Sequence, residues 1–165
     1  SLAPQLFSGD VTVVAAAWHP LSSVHIGVLT SDNVFRLFNV AQSIEEAEYT
    51  AVVRAKKSKD LGPSQGAAVA FCFSTNARDW GQFSVYFLYE DGSVAVLCPV
   101  VPAKCVLPTM LFDGLYDLTL AQIDDLTSRR EETKQEERSL QQQLLWLQMV
   151  CPQVGATNDR EDETA

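Results

Sequence analysis

The chain has 165 residues, a formal net charge of −9 at pH 7 and an apolar fraction of 47%, which is typical of a globular protein with a genuine core. The excess of acidic side chains excludes the basic surface that direct nucleic-acid binding requires. No apolar run approaches the roughly 18 residues of a transmembrane helix, and the first ten residues lack the basic start and apolar centre of a signal peptide.

The N-terminal part of the chain predicts β-structure. A β-favouring run over residues 11–18 ends at Trp18-His19-Pro20, because proline cannot donate to a strand ladder. Residues 26–38 then predict a β-hairpin closed by Asp32-Asn33, since asparagine readily adopts the positive φ that tight turns require. The pattern therefore indicates one strand followed by a hairpin.

A second hairpin repeats the first. Residues 84–97 align without a gap over residues 25–38, an offset of 59 residues, and their turn is Asp91-Gly92. A hairpin that recurs at a long period indicates propeller blades or another β-repeat. Such repeats usually build binding scaffolds, so we expect a mainly β fold that acts by binding.

The repeat also predicts which residues form the core. Large apolar side chains on the predicted strands should be mostly buried, namely Trp18, Phe71, Phe73, Val85, Phe87, Leu88, Val94 and Val96. An alternative reading makes Trp18 and Trp80 exposed binding aromatics. We also expect Cys72 and Cys98 to be small core residues.

Between the hairpins lies a polar connection over residues 41–66. It contains the basic cluster Lys56-Lys57-Ser58-Lys59, which is either a localisation signal or a solvated loop. A further strand is expected over residues 67–73. Pro99, Pro102 and Pro108 then end the regular β-structure.

The composition changes after residue 112. Residues 113–151 are rich in Glu, Gln, Arg and Leu, which are good helix formers. Thr119-Leu120-Ala121-Gln122 fits a capping box, so one long helix is predicted over residues 119–150. The predicted organisation is thus β-structure over residues 1–112, a helical or coiled-coil segment over 113–151 and a disordered acidic tail over 152–165.

The predicted helix has apolar ends and a polar middle, which is a poor seam for self-association. Its last turns carry apolar residues over more than one face, so that end is either buried within the chain or binds another protein. The candidate partner-binding residues are Leu140, Leu144, Trp146 and Leu147.

No residue pattern indicates catalysis. The four cysteines lack zinc-site spacing, and the phosphate-loop, nucleophile-elbow and metalloprotease motifs are absent. His19 and His25 read as turn and strand residues. Ser22-Ser23 with His25 could pose as a nucleophile and its base, but no third residue within sequence reach would orient the histidine. We therefore expect no enzyme, no cofactor, no metal site and no small-molecule substrate.

Two segments carry a resemblance to a known family. Residues 17–38, from Ala17-Trp18-His19-Pro20 through the first hairpin, resemble the N-terminal propeller of the nucleoporin-eighty-eight family, and the plant and algal members look most similar. Residues 83–102, which end in Cys98-Pro99-Val100-Val101-Pro102, resemble its next blade. The resemblance covers roughly residues 11–102 and implies a partial β-propeller of about two blades followed by a long C-terminal α-helix.

The resemblance implies that the chain has a structural function. It implies a scaffold at the cytoplasmic face of the nuclear pore complex in the nuclear envelope, supporting mRNA export and protein transport, with other nucleoporins bound through the coiled coil and the propeller edge. Since a propeller has at least about four blades, the chain is expected to be a truncated gene product or a short paralogue. The alternatives are a generic β-repeat adaptor with a coiled-coil tail and, disfavoured by the missing catalytic motifs, a small hydrolase.

Overall fold

A computed structural model describes residues 11–53, 66–74, 79–129 and 134–154. The chain forms two compact units, Ser1–Cys105 and Val106–Ala165. Within its described residues the first has seven strands: β1 (Val13–Trp18), β2 (His25–Thr30), β3 (Val34–Asn39), β4 (Tyr49–Val52), β5 (Ala68–Phe73), β6 (Val85–Tyr89) and β7 (Val94–Leu97). The second contains the helices α1 (Thr109–Arg129) and α2 (Lys134–Val150).

The first four strands form an antiparallel meander in the order β1-β2-β3-β4, here called sheet A. The β2–β3 hairpin runs in register from His25 opposite Asn39 to Thr30 opposite Val34. Its turn contains Asn33 at φ 60°, a left-handed conformation that asparagine tolerates better than most residues. The first predicted hairpin is confirmed.

The remaining strands form sheet B, in the order β5-β6-β7. The β6–β7 hairpin places Val85 opposite Leu97 and Leu88 opposite Val94, and Gly92 supplies the positive φ of its turn at 80°. A short 3₁₀ turn over Trp80–Phe83 precedes β6. The second predicted hairpin is confirmed, and β1–β2–β3 and β5–β6–β7 are equivalent pieces of one repeat.

Sheets A and B pack face to face over an apolar core. Sheet A contributes Leu29, Phe35 and Leu37, and sheet B contributes Val85 and Phe87, all fully buried. The rings of Phe35 and Phe71 meet edge to face with centroids 5.2 Å apart, a favourable geometry for aromatic pairs. The edge strands β1 and β5 also contact each other, so the two sheets stack as neighbouring blades do.

The core prediction holds for one face of sheet B and is wrong for the other. Val85 and Phe87 are buried, and Phe71 and Phe73 pack against them, half-buried. Four predicted core residues are exposed instead, namely Trp18, Leu88, Val94 and Val96, and so are Cys72 and Cys98. Leu88, Val94 and Val96 are exposed because successive side chains of a β-strand point to opposite faces of the sheet, and these three lie on the face away from the core.

The helical unit differs from the prediction of one long helix. α1 begins at Thr109, just after Pro108, a residue suited to a helix start because its φ is already helical. Thr119 therefore lies inside α1, where its hydroxyl donates to the Leu115 carbonyl oxygen at 2.7 Å, and the predicted capping box is wrong. The predicted boundary at 112/113 also falls inside α1.

The two helices contact each other, and both line a groove through Gln122 and Leu126 of α1 and Glu136 and Leu140 of α2. A single long C-terminal helix is thus not confirmed. Residues 151–154 form a turn in which Val154 is buried. The rest of the predicted disordered tail, and the Lys56-Lys57-Ser58-Lys59 cluster, lie outside the described residues.

Candidate interaction surfaces

Sheet B has an exposed apolar outer face. Strand pairing places Cys72, Tyr86 and Val96 side by side, and Leu88 beside Val94. All of these residues are exposed although most are large and apolar. A contiguous exposed apolar patch of this kind in a soluble protein usually marks a contact surface.

The outer face of sheet A is closed at its centre, whereas Val52 of the edge strand β4 is exposed. Val28 and Phe38 are buried there, with Ile26 and Ala47 packed against them. Arg36 donates to the Thr30 hydroxyl at 2.7 Å and also pairs with Asp32 at 3.6 Å, which covers the end of β2. Trp18, opposite Ile26 at the edge of this face, is the one large aromatic that this face leaves exposed among the described residues.

His19, directly after β1, connects this part of the chain to the segment that follows β7. His19 is buried, its Nδ1 accepts from the Leu21 backbone N–H at 3.2 Å, and its Nε2 therefore carries the proton and donates to the Val100 carbonyl oxygen at 3.3 Å. Burial lowers the pKa of His19 below its usual value of 6.5, the Val100 hydrogen bond opposes this, and the nearby His25 adds to it. The neutral imidazole is the form that fits these contacts.

His25 belongs to a chain of polar contacts that the sequence did not reveal. Its Nδ1 lies 2.6 Å from the Ser22 hydroxyl oxygen, and its Nε2 lies 2.9 Å from Glu48 Oε2. Glu48 is the third residue that the sequence reading lacked. It is 23 positions from His25, so no local motif announces it, and only the pairing of β3 with β4 brings it close.

The Ser22–His25–Glu48 side chains also hold backbone segments in place. The Ser22 hydroxyl oxygen accepts from the Val24 backbone N–H and so closes a local turn. The second Glu48 oxygen accepts from the backbone N–H of Ala103, so the carboxylate joins sheet A to the segment after sheet B. In the part of the chain that the structure describes, no group of three or more His, Cys, Asp or Glu side chains could hold a metal ion.

The most accessible apolar residues of α2 are not the ones that the sequence predicts as the partner-binding site. Leu140, Leu144 and Trp146 are half-buried, and Leu147 is fully buried. In the described part of α2, the exposed apolar residues at this end are Leu145, Met149 and Val150, and the first two lie one helical turn apart. The i,i+4 spacing of Leu145 and Met149 is the sequence signal that places the two residues on one side of the helix. Neither described helix is long and apolar enough to cross a membrane.

Comparison with known proteins points to nucleoporins. The chain is 38% identical over 98 residues to the nuclear pore complex protein NUP88 of Arabidopsis thaliana, covering 56% of this chain and 11% of the relative. It is 26% identical over 153 residues to nucleoporin nup82 of Schizosaccharomyces pombe, covering 89% of this chain and 18% of the relative. The chain therefore spans less than a fifth of the length of either relative. A scan against protein-family models found no match.

The solved structures show the same fold. A Chaetomium thermophilum complex of the Nup82 N-terminal domain with the Nup159 tail and Nup145N contains a chain that matches 90% of this one at a TM-score of 0.73 and 21% identity, with 32% of that chain covered. The yeast Nup82–Nup159–Nup116 complex matches 86% of this chain at a TM-score of 0.56 and 18% identity, with 31% covered. The resemblance to the nucleoporin-eighty-eight family is confirmed.

Proposed function

We propose that this chain is a structural component of the nuclear pore complex. The observation that carries the proposal is the sequence identity to the Arabidopsis nucleoporin over more than half of this chain. The chain also has the repeated β-hairpins that we expect of that family's propeller. In this role the chain acts by binding and catalyses no reaction. Its polar contacts support this, because the Ser22, His25 and Glu48 side chains are taken up by internal hydrogen bonds.

The proposed location is the cytoplasmic face of the pore, in the nuclear envelope. There the chain would serve as a scaffold that supports mRNA export and protein transport, as the family resemblance implies. The charge of −9 fits a role that depends on protein contacts rather than on direct nucleic-acid binding.

The proposed partners are other nucleoporins. Two structures that share this fold are complexes of Nup82 with Nup159 and with Nup145N or Nup116, and we assign partners of the same class to this chain. On the helical unit, the proposed contact is the exposed pair Leu145 and Met149, and Leu140, Leu144 and Trp146 are half-buried beside them or on neighbouring turns. Leu147 is buried and supports the helix rather than offering a contact.

A binding assay with purified proteins tests the helical surface. The full chain is mixed with the Nup159 tail and with Nup145N, and binding is measured by titration calorimetry. Leu145→Asp with Met149→Asp should weaken binding at least about tenfold, because a buried apolar anchor is often worth 2 kcal/mol or more. The control adds the same charge at two exposed polar positions, Gln142→Asp with Gln148→Asp.

Two results would contradict the proposal. If the wild-type chain binds neither nucleoporin, the assignment of partners fails and a generic β-repeat adaptor becomes the better reading, because the exposed face of sheet B would serve such a role equally well. If the Leu145 and Met149 variant binds as tightly as its control, the helical surface is not the interface and the edge of the propeller becomes the candidate.

A further inference from the structure

The helical unit has an open groove between its two helices, here called the helix groove. It has a volume of about 350 Å³, and residues of both helices line it. The lining residues are Gln122, Asp125, Leu126, Glu136, Ser139 and Leu140. The two leucines are half-buried and the four polar residues are exposed. The groove therefore offers partly uncovered apolar surface with polar side chains around it.

The lining of the helix groove is acidic. It includes the carboxylates of Asp125 and Glu136, and no lysine, arginine or histidine is among the lining residues that the structure describes. A segment that fits this groove has apolar side chains to cover Leu126 and Leu140. It also carries a positive charge, because complementary charges favour association and the correct orientation.

The opposite side of α2 has this chemistry. Arg138, Leu145 and Met149 are exposed, and their spacings of seven and four residues place them along one side of the helix. These three residues are here called the outer stripe. At about 100° per residue, Met149 lies about 180° around the helix axis from Leu140 in the groove. One helix thus carries an acidic apolar groove on one side and a basic apolar stripe on the other.

We infer that the helix groove of one copy of this chain binds the outer stripe of a second copy. Leu145 and Met149 cover the groove leucines of the other copy, and Arg138 supplies the positive charge that its carboxylates attract. Since the groove and the stripe lie on opposite sides of α2, two copies cannot form both contacts with each other. The contact is therefore head-to-tail, and each dimer keeps one free groove and one free stripe.

The charge of the whole chain limits this association. With a net charge of −9, two copies repel each other at long range, so the contact forms at high local concentration. A nucleoporin bound at Leu145 and Met149 would compete with the second copy for the same side chains. The inference does not depend on the proposed nuclear-pore function, because both surfaces belong to this chain and the chain alone is tested.

Analytical ultracentrifugation of the full chain measures the association. The average mass of the wild type should rise above that of the monomer over about a hundredfold range of concentration, as mass action requires. Leu145→Asp with Met149→Asp removes the stripe, and Gln122→Arg with Glu136→Arg reverses the charge of the groove. Each double variant should weaken association at least about tenfold, because the loss of an interface anchor often costs that much.

A matched control separates the groove from the general effect of charge. Asp124→Arg with Thr127→Arg adds the same charge as the groove variant, at exposed positions of α1 that do not line the groove. This control should associate at least as strongly as the wild type. An equal loss of association in the control and in the groove variant would overturn the assignment of the groove.

Mixing the stripe variant with the groove variant tests the head-to-tail geometry. The stripe variant keeps its groove and the groove variant keeps its stripe, so the mixture should form a dimer with one chain of each kind. This dimer should grow no further, although each variant alone stays a monomer. A wild-type chain that stays a monomer at every concentration would overturn the inference. So would a variant that associates like the wild type, or a mixture that forms no dimer.

Discussion

Phe35 of sheet A and Phe87 of sheet B meet edge to face across the core, with ring centroids 5.5 Å apart and planes inclined at 76°. Both rings are at most 1% exposed. Since the two residues lie 52 positions apart in the chain, this contact is a direct measure of how the two sheets are joined.

Replacing Phe87 tests that junction. Phe87→Ala should lower the free energy of unfolding by about 3–5 kcal/mol, the range for deleting a buried phenylalanine. The neighbouring Leu88→Ala, on the exposed face, should change it by less than about 1 kcal/mol. Urea denaturation of both variants measures the difference, and equal effects would mean that the two faces of sheet B are not distinguished by burial.

Gly27 tests the fit between the sheets. A methyl group there would lie 2.9 Å from both the Phe35 and the Phe73 rings, so Gly27→Ala should destabilise the β unit by about 1–3 kcal/mol through overpacking. The control is Gly114→Ala, where a Cβ meets nothing within 4 Å inside α1 and should stabilise the helix by about 0.5–1 kcal/mol. Thermal unfolding followed by circular dichroism should move in opposite directions for the two, and a stabilising Gly27→Ala would refute the packing described.

His19 should make the stability depend on pH. Its pKa is lowered in the folded protein, mainly by burial, so the folded state binds fewer protons than the unfolded state between the folded pKa and 6.5. The stabilisation is therefore complete above about pH 6.5 and is lost as the pH falls through the folded pKa. His19→Gln removes this titration, and its free energy of unfolding should fall less than that of the wild type between pH 7.5 and pH 5. Parallel curves would show that His19 is not the group responsible.

The Glu48 carboxylate should matter for stability through both of its oxygens. Glu48→Ala leaves the His25 Nε2 and the Ala103 backbone N–H without this acceptor, and we expect a loss of about 1–3 kcal/mol. The control Glu46→Ala removes an exposed carboxylate nearby and should be close to neutral. Urea denaturation gives both values, and a neutral Glu48→Ala would mean that the carboxylate does not tie the two segments together.

The local parts of this fold could be predicted from the sequence because their signals are local. The turn at Asp91-Gly92, the alternation along β6 and the repeat of the hairpin each depend on residues close together in the chain, and each is confirmed. The residues of the outer face, such as Val94 and Val96, look as apolar as a core strand. Only the position of the neighbouring sheet decides that they are exposed.

The helical part shows a similar limit. The Thr119 motif satisfies the pattern of a helix start, but the helix forms ten residues earlier, after Pro108, and the threonine bonds within it. Glu48 could not be assigned to His25 because the contact depends on strand pairing rather than spacing. The same holds for Leu145 and Met149, whose exposure depends on how α2 packs against α1 within the helical unit.

If this chain is built into the nuclear pore, it should be found there in cells. The full chain, tagged with a fluorescent protein, is expressed in Arabidopsis or fission-yeast cells beside a marked nucleoporin, and its fluorescence is compared between the nuclear rim, the nucleoplasm and the cytoplasm. We expect a punctate rim signal that coincides with the nucleoporin. Leu145→Asp with Met149→Asp should abolish this signal, whereas Gln142→Asp with Gln148→Asp should keep it. A wild-type signal spread evenly through the cell, with no rim enrichment, would contradict this expectation.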